Sequence, residues 1–238
     1  MEETAEHIGE YMNLYQVHSA TFESGILSDE RVHQALHKCR QERGWAIGLS
    51  VSGTVQDDII RQAMTIHVTD NNNNNNNNNE SQQQRRLFDS VQCTYNLLEQ
   101  RPYPALIDAH NNNNNDNGLD IIVKEGMANG RVLQNTVAQT YASSLSCQAD
   151  QLALGSILAQ PFQPRVLSGA VTPDQLISNM KALDISQQLL LSHNNDNNNN
   201  DNNDNNNDNK SLSLSNIMKD CCIESDKYWK DRSNLAWN

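Results

Sequence analysis

Short apolar runs alternate along the chain with longer stretches in which apolar residues recur every three or four positions. A short apolar run bounded by turn residues reads as a buried strand, and a three-to-four spacing reads as one side of a helix. Leu14 to Val17 predicts the first strand, with His18 and Ser19 at its carboxyl end. Ser28, Asp29 and Glu30 then open a helix whose buried face is Val32, Ala35, Leu36 and Cys39, and Gly44 ends it. Trp45 to Leu49 predicts a second strand, leading into Ser50, Val51, Ser52 and Gly53. Thr54 to Asp57 has capping-box spacing, and Ile59, Ile60, Ala63 and Met64 form the next helical stripe. Phe88 to Thr94 predicts a third strand, Pro104 to His110 a short helix, and Ile121 to Val123 a fourth strand followed by Lys124, Glu125 and Gly126. Ser146 to Gln160 predicts a helix with Ala149, Leu152, Ala153 and Ile157 facing inward, and Leu212 to Trp229 another.

The stretch from Arg165 to Leu183 joins a strand to a helix through a tight turn. Val166 and Leu167 meet the small residues Ser168, Gly169 and Ala170. Thr172 is a good N-cap, Pro173 suits the first helical position, and Gln175 can complete a capping box. Leu176, Ile177, Met180 and Leu183 predict one buried stripe. A helix start beside a glycine offers N–H donors and a positive dipole end to an anion. Its plainer reading is an ordinary βα turn without a ligand.

Strand followed by helix, repeated about five times, implies an α/β fold with parallel pairing and right-handed crossovers. Small or polar residues stand at the carboxyl end of each strand, where such sheets and barrels place their active sites. Periodicity alone leaves an open sheet and a closed barrel both in play.

Composition changes this picture at three places. Asn71 to Asn79, Asn111 to Asn117 and Asn194 to Asn209 are asparagine tracts, the last two broken by aspartates. They hold too little apolar surface to offset chain entropy and are expected to be disordered insertions in surface loops. The net charge is -12, but Asp116, Asp196, Asp201, Asp204 and Asp208 lie inside the tracts. The rest is mildly acidic with no basic stripe, which argues against a nucleic-acid partner. Cys39, Cys93, Cys147, Cys221 and Cys222 are odd in number and include no CxxC, so reduced, buried thiols and no metal centre are expected. The start, MEETAEHIGEY, reads as neither signal nor transit peptide, and no apolar run approaches a membrane span. A cytoplasmic protein is the expectation.

With the strands placed, the residues at their ends resemble the aldo/keto reductases in family order. YQVHSAT, Tyr15 to Thr21, is similar to the family's fourth barrel strand, and WAIGLSVSG, Trp45 to Gly53, to its fifth. VQCTYNLLE, Val91 to Glu99, resembles the sixth, and GLDIIVKEGMANGRV, Gly118 to Val132, the seventh. VLSGAVTPDQLISN, Val166 to Asn179, resembles the eighth strand with its cofactor-phosphate loop. YWKDRSNLAWN resembles the carboxyl end of the sugar-dehydrogenase-like branch, which includes L-galactose and D-threo-aldose dehydrogenases.

The resemblance implies an NAD- or NADP-dependent (β/α)8 TIM barrel that moves a hydride between nicotinamide and a carbonyl or alcohol carbon of a sugar or other small substrate. It implies that His18 orients the substrate carbonyl oxygen, on which negative charge grows. Ser50 and Gln92 would hold the nicotinamide carboxamide, Gln92 answering both its donor and its acceptor. The Asn usual beside Ser50 is Val51 here. Lys124 falls where many members stack a Tyr under the nicotinamide ring. Ser168, Gly169, Ala170, Gln175 and Asn179 match the loop and helix that hold the adenosine phosphates and adenine. Gln175 stands where NADP users often place an Arg, and an amide does not neutralise a 2′-phosphate.

Three strand–helix units come first in the family and carry its catalytic Asp, Tyr and Lys, whereas Met1 lies just before the matched fourth strand. The expectation is therefore an incomplete barrel spanning residues 1–238, holding roughly the last five units and lacking hydride transfer by itself. A gene cut short and a separate chain supplying the missing strands are both compatible with it. A different class of reading is a non-catalytic interaction or assembly protein built on a partial barrel with asparagine-rich tracts.

Overall fold

The computed structural model describes residues 1–70, 83–111, 118–196 and 212–236. The first asparagine tract, residues 112–117 of the second and residues 197–209 of the third lie outside them. The chain forms two compact units, Met1–Cys93 with Pro104–Ile121, and Thr94–Tyr103 with Ile122–Asn238.

In the first unit, α1 (Glu2–Ile8) and one 3-10 turn (Gly9–Tyr11) lead to β1 (Leu14–Val17). Helix α2 (Glu30–Arg43) starts on Asp29, whose side chain accepts from the Arg31 N–H. It ends at Gly44, where φ is 71° and the N–H returns to the Arg40 carbonyl. Then come β2 (Ala46–Ser50), α3 (Gln56–Thr65), β3 (His67–Asp70), β4 (Gln83–Arg86), β5 (Ser90–Thr94), α4 (Tyr103–Asn111) and the start of β6 (Asp120–Lys124). Pairing is parallel from Leu14↔Ala46 to Val17↔Leu49 and from Gly48↔Ser90 to Ser50↔Gln92. Gly48 is required there: a Cβ would stand 2.3 Å from Ser90 Oγ. Ile47, Leu49, Ile59, Ile60, Ala63 and Val91 are fully buried and form the core of this unit.

Three expectations need correction here. The buried face of α2 is His33, Leu36, His37 and Cys39, while Val32 and Ala35 are only half-buried. His33 Nε2 lies 2.7 Å from the Ile26 carbonyl, so a polar ring is buried with its hydrogen bond made. Helix α3 has Val55 at its N-cap and no side-chain cap. The chain turns on Gly53 at φ 94° instead, and the Gln56 N–H bonds to the Gly53 carbonyl at 3.3 Å. The hairpin of β3 and β4, antiparallel from His67↔Arg86 to Asp70↔Gln83, has no counterpart in the apolar pattern, because its residues are mostly polar.

In the second unit, a 3-10 segment (Ala128–Gln134) precedes α5 (Thr136–Ser144) and α6 (Ala149–Leu158). After β7 (Arg165–Val166) come α7 (Pro173–Met180), α8 (Ala182–Asp196), α9 (Leu214–Cys221) and α10 (Ser225–Ser233). Strands β6 and β7 pair parallel, Ile122↔Arg165 and Val123↔Val166. Helix α6 is buried nearly all round, from Gln151 to Ile157. It meets α8 at Gly155, where a Cβ would stand 2.9 Å from the Ile185 side chain. The helix predicted over Leu212 to Trp229 is two, broken where the Ile223 N–H bonds to the Leu98 carbonyl at 3.1 Å.

The stripe predicted on α7 is exposed: Leu176 by 50%, Ile177 by 61%, Met180 by 57% and Leu183 by 47%. Spacing fixes which residues share a side of a helix, not whether another element lies over it. Among the described residues α7 packs on α6 and α8, and its buried residue is Asn179.

The five strands follow the order β1-β2-β5-β6-β7 in one sheet, so the α/β class and parallel pairing are observed. All five cysteines are thiols. Among the described residues no helix is long and apolar enough to cross a membrane.

Candidate functional site

In the first unit the strand ends gather three of the expected residues. His18 follows β1 directly and is exposed, with Ser19 Oγ 3.1 Å from its Nδ1. Ser19 holds φ at 53°, which turns the chain sharply after the strand. The Ala20 N–H then donates to the Ser50 carbonyl at 2.9 Å, tying the end of β1 to the end of β2. Ser50 is buried and is the register partner of Gln92, which is half-buried. Val51 is fully buried, and its N–H donates to the Gln92 carbonyl at 2.8 Å. A valine thus packs into the core at the position where the resemblance expects an Asn.

In the second unit, Lys124 is the last residue of β6 and half-buried. Leu167 donates to the Val123 carbonyl at 2.9 Å, which sends the chain from β7 into the turn at Ser168. Gly169 has φ 66°, and its open side is free of other atoms to 4 Å from where a side chain would begin. The turn answers three of its own donors. Ala170 N–H bonds to Ser168 Oγ at 3.2 Å, Val171 N–H to Gln175 Oε1 at 2.8 Å, and Gln175 N–H to Thr172 Oγ1 at 3.2 Å. Thr172 is the N-cap, as its spacing predicts. Gln175 reaches one residue further back than a capping box requires. Among the described residues the N–H groups of Ser168, Gly169, Thr172 and Asp174 are left as donors.

Gly169, Ala170, Gln175 and Asn179 line a cavity of about 660 Å³. The rest of its described lining includes Ser143 of α5, Cys147 and Gln148 just before α6, and Asp150 in its first turn. Sequence reasoning missed this part of the lining, because no spacing links residues 147–150 to residues 169–179. Burial, and after it the charge of Asp150, pushes the Cys147 thiol up from its ordinary value.

A second polar cluster holds the carboxyl-terminal helix. Asn96 Nδ2 donates to the Glu125 carbonyl and to Tyr228 Oη, both at 3.0 Å. Glu125 has φ 56° and forms an ion pair with Arg232, while the Arg131 guanidinium lies 4.1 Å from the Tyr228 ring centroid. Burial pushes Tyr228 up to about 12, against the hydrogen bond from Asn96, which acts the other way. Tyr228 and Arg232 fall in YWKDRSNLAWN, whose aromatic and basic residues were the available signal. Among the described residues no group of His, Cys, Asp and Glu is placed to hold a metal ion.

No family model and no curated protein matches the sequence. Solved structures do. A mutant of Gox0644 in complex with NADPH superposes with a TM-score of 0.58 at 15% identity, covering 99% of this chain and 68% of that one. A protein provisionally named 2,5-diketo-D-gluconic acid reductase B gives 0.53 at 19% identity, over 77% of this chain and 55% of that one. MGS-M4, an aldo-keto reductase from a Medee basin deep-sea metagenome library, gives 0.49 at 14% identity, over 77% and 58%. The chain thus spans 55 to 68% of the length of these structures. Its parallel α/β sheet shares its fold with the Gox0644 and 2,5-diketo-D-gluconic acid reductase B structures.

Proposed function

We propose that this chain is the cofactor-holding part of an NAD(P)-dependent oxidoreductase of the aldo-keto reductase type, acting on a sugar or another small carbonyl or alcohol. The cavity walled by Gly169, Ala170, Gln175 and Asn179 carries this reading, because the loop matched by sequence borders a space of ligand size. The residues suit a dinucleotide. Gly169 leaves room for close backbone approach, and the Gly169 and Asp174 N–H groups stand ready at the start of α7 for a phosphate oxygen. Ser50 and Gln92, register neighbours, would hold the carboxamide. A bound nicotinamide supplies or accepts the hydride. His18 would present a ring N–H to the substrate oxygen, its Nδ1 already beside Ser19.

The fold of these neighbours extends over more chain than is present here, and the reading assigns His18 alone to the chemistry. Binding without turnover is therefore expected. The apolar residues left exposed on α7 support a partner segment that brings further strand–helix units, and the thiols support a cytoplasmic setting. The test is NADH and NADPH fluorescence titration of the 238-residue protein, alongside an aldose oxidation assay. Saturable binding lost in Gly169→Val supports the reading. No binding by either nucleotide overturns it, and aldose turnover overturns the claim that the chain is only part of the machinery.

A further inference from the structure

The charge of the cavity in the second unit says which dinucleotide it takes. None of the described lining residues is a lysine or arginine. Asp150 is the one carboxylate among them, standing in the first turn of α6. It is half-buried, and no cation among the described residues pairs with it. The same cavity is lined by the neutral amides of Gln139, Gln148, Gln175 and Asn179. A phosphate monoester needs a guanidinium or ammonium to offset close to two negative charges, and a carboxylate in the same cavity adds repulsion. A ribose hydroxyl needs the reverse, an acceptor, and a carboxylate is a strong one.

We propose that Asp150 is the specificity-determining residue of this cavity, accepting a hydrogen bond from the adenosine ribose and excluding a 2′-phosphate, so that the protein binds NAD(H) in preference to NADP(H). The proposal rests on the reading of the cavity as a dinucleotide site. It sets this chain apart from the neighbour solved with NADPH. Cys147 already registers the field of Asp150 inside the lining.

The experiment titrates the 238-residue protein with NADH and with NADPH, and competes bound NADH with 5′-AMP and with 2′,5′-ADP. NADH is expected to bind about tenfold or more tighter than NADPH, and 5′-AMP to compete where 2′,5′-ADP does not. Asp150→Asn should narrow the NADH preference and Asp150→Lys should reverse it, with Asp184→Asn, an exposed site on α8, leaving it unchanged. Circular dichroism checks that each variant is folded, and Asp150→Ser serves if the asparagine variant is not. A Coulombic origin also requires the preference to shrink as salt rises, which a loss of packing would not produce. NADPH binding as tightly as NADH, or a preference indifferent to Asp150, overturns the proposal while leaving the dinucleotide reading intact. Binding of neither nucleotide removes both.

Discussion

Asn179 donates through Nδ2 to the carbonyl and to the hydroxyl of Ser168, at 3.1 and 3.0 Å. Two residues expected to touch a ligand are thus spent on each other. Asn179 is the buried residue of α7 and fixes the turn that carries Gly169. Asn179→Ala should cost about 1–2 kcal/mol of stability, since it removes two hydrogen bonds, one of them to the half-buried Ser168 carbonyl. Urea unfolding reads the loss. Asn179→Asp, which keeps the size but removes the donors, should weaken nucleotide binding as well.

Gly155 is the second point of rigidity in this unit. A methyl group there would enter the space of Ile185 and stand 3.0 Å from the Ala182 carbonyl. Gly155→Ala should destabilise by about 1–3 kcal/mol through overpacking of α6 against α8, despite the gain in helix propensity. The double variant with Ile185→Val should recover part of that loss in thermal unfolding.

The Tyr228 hydroxyl titrates near 12 in the folded chain, against 10 for an ordinary tyrosine. A raised value means the folded state holds the proton more tightly. The associated stability is fully present below pH 10 and is lost as pH climbs from about 10 to 12. Two pH units correspond to about 2–3 kcal/mol. Tyr228→Phe should flatten the alkaline limb of the stability curve. A spectrophotometric titration of the wild type should show one phenol ionising later than the rest.

The exposed residues of α7 make a test that separates spacing from burial. Leu176→Gln and Met180→Gln should each change unfolding free energy by no more than about 0.5 kcal/mol, as surface sites do. Had the stripe been buried, the cost would be about 2–5 kcal/mol.

Local chemistry explains what the sequence made legible. Asp29 and Gly44 bracket α2, and Thr172 with Pro173 opens α7, because caps act within one turn. Strand β1 spans Leu14–Val17 as its apolar run predicts. The α3 cap is a local miss, since Val55 holds the N-cap without a side-chain bond, and the other misses are tertiary. The burial of His33 and His37, the break at Cys222–Glu224 and the uncovered side of α7 depend on which distant element arrives, and periodicity carries no such information. The half of the cavity wall built by Cys147, Gln148 and Asp150 was invisible for the same reason.

The stems on either side of the first two asparagine tracts have a genetic consequence. Asp70 pairs with Gln83, and Leu119 donates to the Ala109 carbonyl at 2.9 Å, so each tract leaves and rejoins the body at a fastened doorway. With the posts paired, codons added or lost between them are expected to change loop-closure entropy by about 0.6 kcal/mol for each doubling. Changes in tract length are therefore expected to leave the neighbouring strands in register.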